Sequence, residues 1–404
     1  MKASLLTIGD ELLSGKTTNT NATWISRNLT LAGCNVVRNV TVRDKEEEIL
    51  DSLSALFELS VDLVLCTGGL GPTHDDITRN TIFQFFNSDS ILDEDYWKNL
   101  QKRFSSLGYS IPPSNKSQAI IPHNGKVFPN PIGSARGLVF HKDDITLMAM
   151  PGVPSEMKAM MSETVIPWVR KKSKKKNFCI NIRTTGIPES VLYEKIKVKN
   201  SIQKSINLGY YPSLFGVDIR ISGNNISSIE KAQKLIVKDV GPYIYNIGEE
   251  SLENITVNQL MKNNLTIATT ESCTGGLIGH RITQVSGSSK VYNGGLIAYS
   301  NKAKLNQLKI NSATLNRFGA VSKEVASEMA VQVRNIFDSD IGVSVTGIAG
   351  PGGGTKDKPV GLVYVGYSDC NGLITKQFNF HSSRESNKIR TSQAVLNLIK
   401  QKAL

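Results

Sequence analysis

The sequence predicts an α/β protein with three domains in one chain, and three observations carry that prediction. At 404 residues and about 150 residues per domain, the chain has room for two or three cores. Its apolar runs are strand-sized and alternate with helical stretches toward both ends, the pattern of βαβ units around a parallel sheet. Several of these runs lead straight into glycine-rich turns, where doubly wound sheets bind their ligands.

Taken in order, a strand over 2–8, a helix over 21–32, a strand over 35–42 and a helix over 45–59 precede a central strand over 61–66. That strand enters Thr67-Gly68-Gly69-Leu70-Gly71-Pro72, and a strand over 145–150 likewise enters Pro151-Gly152-Val153-Pro154. A helix over 155–168 dissolves into the run 170–176, where six charges in seven residues repel one another and predict a solvated linker. The segment 177–251 reads as a small α+β unit with strands over 178–184 and 216–221 and helices over 189–198 and 227–239. From 252 a third α/β region begins, with strands over 266–270, 341–346 and 361–367 and helices over 276–284 and 323–337. The expected domains are therefore 1–170, 171–251 and 252–404. The two ends do not align with each other, so no internal repeat is expected.

A composition of 40% hydrophobic and 20% charged residues excludes a disordered chain, a collagen and a coiled coil. No apolar run approaches the roughly 18 residues of a membrane span. Asp10 and Glu11 arrive too early for a signal-peptide core of about 7 to 15 residues, so a cytoplasmic protein is expected. The five cysteines are scattered without a CxxC pair, and the five histidines form no HxxxH or HExxH pattern. This argues against a disulfide framework and a zinc site, and leaves carboxylates as the ligands of any divalent ion, which favours Mg²⁺ or Mn²⁺. Cys66, inside an apolar run, reads as core. The net charge of +12 divides as −3 over 1–170, +7 over 171–251 and +8 over 252–404. The excess thus suits a charged linker and a small anionic substrate better than a nucleic acid.

In the N-terminal region, three glycines (Gly68, Gly69, Gly71) after a buried strand let backbone N–H groups face an anion, and the next helix adds its positive end. Asp75 and Asp76 read equally as helix caps or as metal ligands that offset the charge of a bound phosphate. Asp10 and Glu11 supply two more acids at a strand end, ahead of Asn19 and Asn21.

In the C-terminal region, Glu271-Ser272-Cys273-Thr274-Gly275-Gly276 ends a strand and opens a helix. Ser272 at a helix start is a candidate nucleophile, with the N–H groups of Gly275 and Gly276 as oxyanion donors. No histidine pattern offers a base, which leaves Lys302 and Lys304 of Tyr299-Ser300-Asn301-Lys302-Ala303-Lys304; a lysine becomes a base when burial lowers its pKa. The loop from Gly347 through Gly350 and Gly352 to Gly354 is neither GxGxxG nor a Walker loop, but suits a single phosphate.

The segments "TIGDELLSGKTTNTNATWIS", "TGGLGPTHDDITR", "NPIGSARG" and "MPGVPSEM" resemble the N-terminal half of the competence/damage-inducible CinA family, itself similar to the molybdopterin-binding fold. The resemblance implies a metal-dependent ADP-ribose pyrophosphatase. Its diphosphate would sit at Thr67, Gly68, Gly69, Gly71 and Asn21, with Thr78 also matching, and a divalent ion (Mg, Mn or Co) at Asp75, Asp76, Asp10, Glu11 and Glu156. Arg136 departs from the family's NPxGxAPG stretch, and reads as an added phosphate contact or an exposed side chain.

"ESCTGG", "GSSKVYNGGLIAYSNKAK", "GAVSKEVA", "VTGIAGPGGGT" and "KPVGLVYVG" resemble the C-terminal CinA domain, whose members include nicotinamide mononucleotide deamidases; the middle segment is similar to the family's KH-like domain. This resemblance implies hydrolysis of nicotinamide mononucleotide to nicotinate mononucleotide and ammonia without a cofactor. Ser272 would be the nucleophile and Lys304 the base, with Tyr299 and Thr346 positioning or donating. Gly275, Gly276, Gly347, Gly350, Gly352 and Arg390 would hold the substrate, in a homo-oligomer. The competing expectation is a non-catalytic competence or repair protein that binds nucleotides or molybdopterin at its ends and nucleic acid in its middle. The missing GxxG loop between 177 and 251 weighs against nucleic acid.

Overall fold

The computed structural model describes residues 1–173, 178–197 and 206–403. It divides into two compact units, Met1–Phe178 and Cys179–Leu404.

The first unit is built on a six-stranded sheet of β1 (Lys2–Ile8), β2 (Asn35–Val42), β3 (Leu63–Thr67), β6 (Lys126–Phe128), β7 (Gly137–Lys142) and β8 (Ile145–Met150), in the order β2-β1-β3-β8-β7-β6. The short ribbon of β4 (Ser90–Leu92) and β5 (Ile120–Pro122) lies outside it. Every residue of β3 is buried, as a strand covered by helices on both faces must be. Helices Thr20–Leu31 and Pro154–Met160 cover one face through Ile25, Leu29, Met157 and Met160. Helices Glu46–Phe57 and Thr78–Phe85 cover the other through Ile49, Leu53, Leu56 and Ile82.

The expected parallel sheet is mixed: β2, β1, β3 and β8 run parallel, whereas β7 and β6 add in antiparallel fashion. The cause is a tight β7–β8 turn, where Asp143 takes a left-handed φ of 53° that an aspartate tolerates. The expected linker over 170–176 is corrected in its first half. Arg170, Lys171 and Lys172 form the last turn of helix Ile166–Lys172, where cations favour the negative helix end. Residues 174–176 of that linker, and Val198 at the end of one predicted helix, lie outside the described residues.

Arg136 is not exposed but half-buried. Its Nη1 donates to Asp93 Oδ2 at 2.7 Å and its guanidinium stacks 3.8 Å above the Tyr96 ring. Asp93 also accepts from the Tyr96 N–H at the start of helix Glu94–Ser106; that bond, then the bond from Arg136, holds its carboxyl below the ordinary value. A depressed carboxyl contributes stability above its unfolded pKa and loses it as pH falls through the folded one. Arg136→Met should therefore lower stability at pH 7 by about 1–3 kcal/mol, with a smaller deficit near pH 3; thermal melts at the two pH values check this.

The second unit holds two sheets. A four-stranded sheet orders β10 (Asn207–Ser213), β11 (Gly216–Gly223), β9 (Phe178–Thr184) and β12 (Ile244–Ile247), and is packed by helix Ile226–Val240. A five-stranded sheet has the order β14-β13-β15-β16-β17, from β13 (Ile267–Glu271), β14 (Tyr292–Ile297), β15 (Ile341–Gly347), β16 (Leu362–Asp369) and β17 (Gly372–Asn379). β13 is parallel to both its neighbours, so its C-terminal end and that of β15 open onto one edge of the sheet. Helices Leu252–Lys262, Leu277–Thr283 and Arg384–Lys402 cover one face, and Lys323–Ile336 the other.

Candidate active site

Ser272 follows β13 directly, and its N–H donates to the Val345 carbonyl at 3.0 Å, extending the ladder to β15 by one residue. Gly275 and Gly276 then turn the chain through positive φ values of 63° and 94°, which only glycine adopts at low cost. The helix Leu277–Thr283 starts there. Glu271, 2% exposed, folds its carboxylate over the helix start and accepts from the N–H groups of Gly276 (2.9 Å), Ile278 (3.2 Å) and Gly279 (2.9 Å). A buried carboxylate is tolerated there because the orphan donors and positive end of the helix meet it.

This arrangement corrects one expectation. The Gly276 N–H is taken by Glu271 and the Gly275 N–H by the Ser272 carbonyl at 3.1 Å, so neither is free to hold an oxyanion.

The two lysines of the Tyr299–Lys304 segment separate cleanly. Ser300 caps helix Asn301–Asn306 by accepting from the Ala303 N–H. The helix turns Lys302 outward and Lys304 inward, leaving Lys304 only 1% exposed. Lys304 Nζ donates to Ser272 Oγ at 3.0 Å and to the Ala298 carbonyl at 2.8 Å. Burial pushes its pKa down from the ordinary lysine value, since a low-dielectric site disfavours the charged form. Cys273 beside it is inert by the same cause, its thiol pushed up to about 12.

The remaining predicted groups sort as follows. The Tyr299 hydroxyl accepts from Arg384 Nη2 at 2.6 Å, and Arg384 Nη1 donates to the Gly350 carbonyl at 2.7 Å, so one guanidinium ties the Tyr299 turn to the glycine loop. Thr346 is buried and donates to the Ala320 carbonyl at 2.6 Å. Gly347 is packed against β16 residues Leu362 and Val363, and Gly352 is open. Arg390 is exposed, and Arg384, a turn and a half earlier on the same helix, is the arginine at the loop. Lys388 adds a second cation, with Nζ 3.8 Å from where a Cβ on Gly275 would stand. Asn387, 1% exposed, fixes the loop by donating to the Ala349 carbonyl at 3.0 Å. Glu271, Arg384, Asn387 and Lys388 were not singled out from sequence; the i, i+4 pair of cations on one helix was the available signal for the last of them.

In the first unit the ends of β3 and β8 meet. Thr67 Oγ1 donates to the Pro151 carbonyl at 3.0 Å and Asn21 Nδ2 to the Gly152 carbonyl at 2.7 Å. Gly68 has a φ of 117° and lies so close to the Ile8 carbonyl that no Cβ fits. Gly69 is closed against Thr78 and Gly71 against Asp76. Asn21 Oδ1 and Thr78 Oγ1 are buried without a hydrogen-bond partner among the described residues.

The five predicted carboxylates do not gather as one ligand set. Asp76 accepts from the Thr73 N–H and hydroxyl, closing a turn, while Asp75 is exposed beside His74. Helix Thr78–Phe85 has no side-chain cap, so neither acid caps it. Glu156 accepts from Asn130 Nδ2 at 2.7 Å, bracing the Asn130–Gly133 turn. Asp10 sits instead beside Asp44, whose carboxyl is raised by burial and by the charges of Asp10, Glu11 and Asp76. Among the described residues no group of three or more His, Cys, Asp or Glu is placed to hold a metal ion, and none of their helices is long and apolar enough to cross a membrane.

Comparison with known proteins gives the following. Residues 249–403 match the family model described as the CinA C-terminal domain, and residues 4–171 match the one described as a probable molybdopterin binding domain. A competence-damage inducible protein of Clostridium botulinum (strain Loch Maree / Type A3) is 40% identical over 392 residues, covering 95% of each chain. One from Halothermothrix orenii is 40% identical over 400 residues, covering 98% of this chain and 97% of the relative. Among solved structures, the protein CinA with unknown function from Thermoplasma acidophilum is 36% identical, covers 41% of this chain and 97% of that chain, and has a TM-score of 0.38.

Proposed function

The chain belongs to the CinA family of competence-damage inducible proteins, and from that premise we propose that its C-terminal half hydrolyses the carboxamide of nicotinamide mononucleotide. The observation that carries this reading is the buried Lys304 Nζ, 3.0 Å from Ser272 Oγ. In its neutral form Lys304 takes the Ser272 proton as Oγ attacks the carboxamide carbon. The resulting ammonium gives that proton to the amide nitrogen, the C–N bond breaks and ammonia leaves an ester on Ser272. Water then attacks the ester with Lys304 again as base, freeing nicotinate mononucleotide and returning the proton to Ser272. Arg384 and Lys388, the two cations beside the glycine turns, would receive the substrate phosphate as charge-assisted donors. The reading is tested by ammonia release from nicotinamide mononucleotide by the purified protein; none at millimolar substrate overturns it.

For the N-terminal unit we propose ADP-ribose as the ligand and substrate, supported by the unpartnered Asn21 Oδ1 and Thr78 Oγ1 at the joined ends of β3 and β8. The carboxylates there do not make a preformed ligand set for a divalent ion, because Asp76 and Glu156 are engaged elsewhere and Asp75 is exposed. Gly69→Ala places a methyl against the Thr78 hydroxyl at a φ of 62° and should cut AMP formation from ADP-ribose at least about tenfold. No AMP from the unaltered protein with added Mg²⁺, Mn²⁺ or Co²⁺ overturns this second reading.

A further inference from the structure

The second unit contains a cavity of about 80 Å³ between the four-stranded sheet and the helices of the five-stranded sheet. Its wall includes Arg183 of β9, Phe215, Tyr245 of β12, Glu253, Arg281 and Gln393. We propose that this cavity binds a small oxyanion of the phosphate type, at a site separate from Ser272.

Charge is the first ground. Two guanidiniums face one carboxylate in the wall. Arg281 Nη2 meets Glu253 Oε2 at 2.7 Å, whereas the acid paired with Arg183, Asp218 at 3.2 Å, does not line the cavity. With Asp218 counted the cluster holds two guanidiniums and two carboxylates, yet the wall itself presents both guanidiniums and only one of the acids to a partly enclosed space, where charge acts at reduced dielectric.

The second ground is an unmet donor. Gln393 is 3% exposed and accepts from Arg281 Nη2 at 2.8 Å through Oε1, which fixes the orientation of its amide. Its Nε2 is then left buried with no partner among the described residues. Buried donors are normally satisfied, and an oxygen acceptor in the cavity would satisfy this one.

Third, the forks are held in place. Arg281 lies 5.0 Å over Phe215 and donates to Ser392 Oγ at 2.9 Å; Arg183 lies 5.3 Å from the Tyr245 ring and donates to the Glu250 carbonyl at 3.0 Å. Oriented guanidiniums suit a tetrahedral oxyanion, and a cavity of about 80 Å³ excludes a whole nucleotide.

The position matters for the reaction. Arg281 lies on the helix that begins at the turn after Ser272, and Gln393 lies on the helix whose first turns carry Arg384 and Lys388. Occupancy should therefore alter turnover, a consequence that rests on the deamidase reading; binding itself does not.

Inorganic phosphate titrated calorimetrically into the full chain is expected to show a saturable event that weakens at least about tenfold in Arg183→Gln and in Gln393→Leu. The same event should persist in Arg384→Gln, which removes the cation bonded to the Gly350 carbonyl. Thermal melts establish that each variant is folded, and Arg183→Gln alone decides if Gln393→Leu is not. Unchanged affinity in folded Arg183→Gln, or loss of the event only in Arg384→Gln, overturns the proposal. Binding lost in Arg183→Gln supports it even where the protein releases no ammonia, which separates its failure from that of the deamidase reading.

Discussion

Ser272→Ala is expected to reduce ammonia release from nicotinamide mononucleotide by about 10³-fold or more, the scale set by deleting a nucleophile in other acyl-transfer enzymes. The fold should be untouched, because among the described residues the Ser272 hydroxyl is bonded only by Lys304 and the backbone bond from its N–H to Val345 remains. Nicotinate mononucleotide should also fail to accumulate in a single turnover, since no ester can form. A residual rate within tenfold of the unaltered protein would show that water, and not Ser272, attacks the amide.

Lys304→Met should have an effect of similar size and a distinctive pH signature. Burial lowers the Lys304 pKa from the ordinary 10.5, so the neutral base gains population below that value, and kcat should rise with pH until the lysine is deprotonated. The same shift is visible in stability. Between the lowered folded pKa and the unfolded one the unfolded chain binds more protons, so stability rises with pH through that window. In Lys304→Met this part of the rise vanishes. Melts between pH 7 and 10, with rate profiles over the same range, check both effects; identical pH dependence in the two proteins would remove Lys304 from the mechanism. Lys302→Met, on the exposed side of the helix, is the control.

How much of this was legible in the sequence depended on where the apolar pattern was strong. Strands Lys2–Ile8, Asn35–Val42 and Ile145–Met150 lie where their hydrophobic residues placed them, and the turns that follow β3, β8 and β13 are where glycine marked them. The helix Arg384–Lys402 was not foreseen. Its buried face includes Asn387, Thr391, Ser392 and Gln393, which read as polar surface until Ala349, Arg281 and the helix's own carbonyls are seen to meet them. That omission hid Arg384 and Lys388 and left Arg390 as the visible cation. Strand β14 was obscured for the opposite reason: Gly294 and Gly295 interrupt a sheet edge whose alternate residues are exposed.

The acids were the least readable feature. Spacing placed Asp75 and Asp76 beside a phosphate turn, but the direction in which a turn points its side chains is decided by local bonds such as Thr73 to Asp76. Asp44 joins the Asp10 neighbourhood from a separate strand end, a juxtaposition that topology creates and linear spacing does not encode. Lys304 was legible as a candidate base, yet its separation from Lys302 rests on which side of one short helix faces β13.

The Glu271 carboxylate has one further consequence. By taking three backbone donors at the start of helix Leu277–Thr283, it withdraws from the substrate the anion site that a helix start otherwise offers. In the deamidase reading, recognition of a phosphate would then fall to the long side chains of Arg384 and Lys388, while the backbone of Ser272 is held by its bond to Val345. Precision and affinity would thus reside in different parts of the molecule. On that reading, exchanging two side chains on one helix would change how firmly a phosphate-bearing substrate is held without disturbing the turn that carries Ser272.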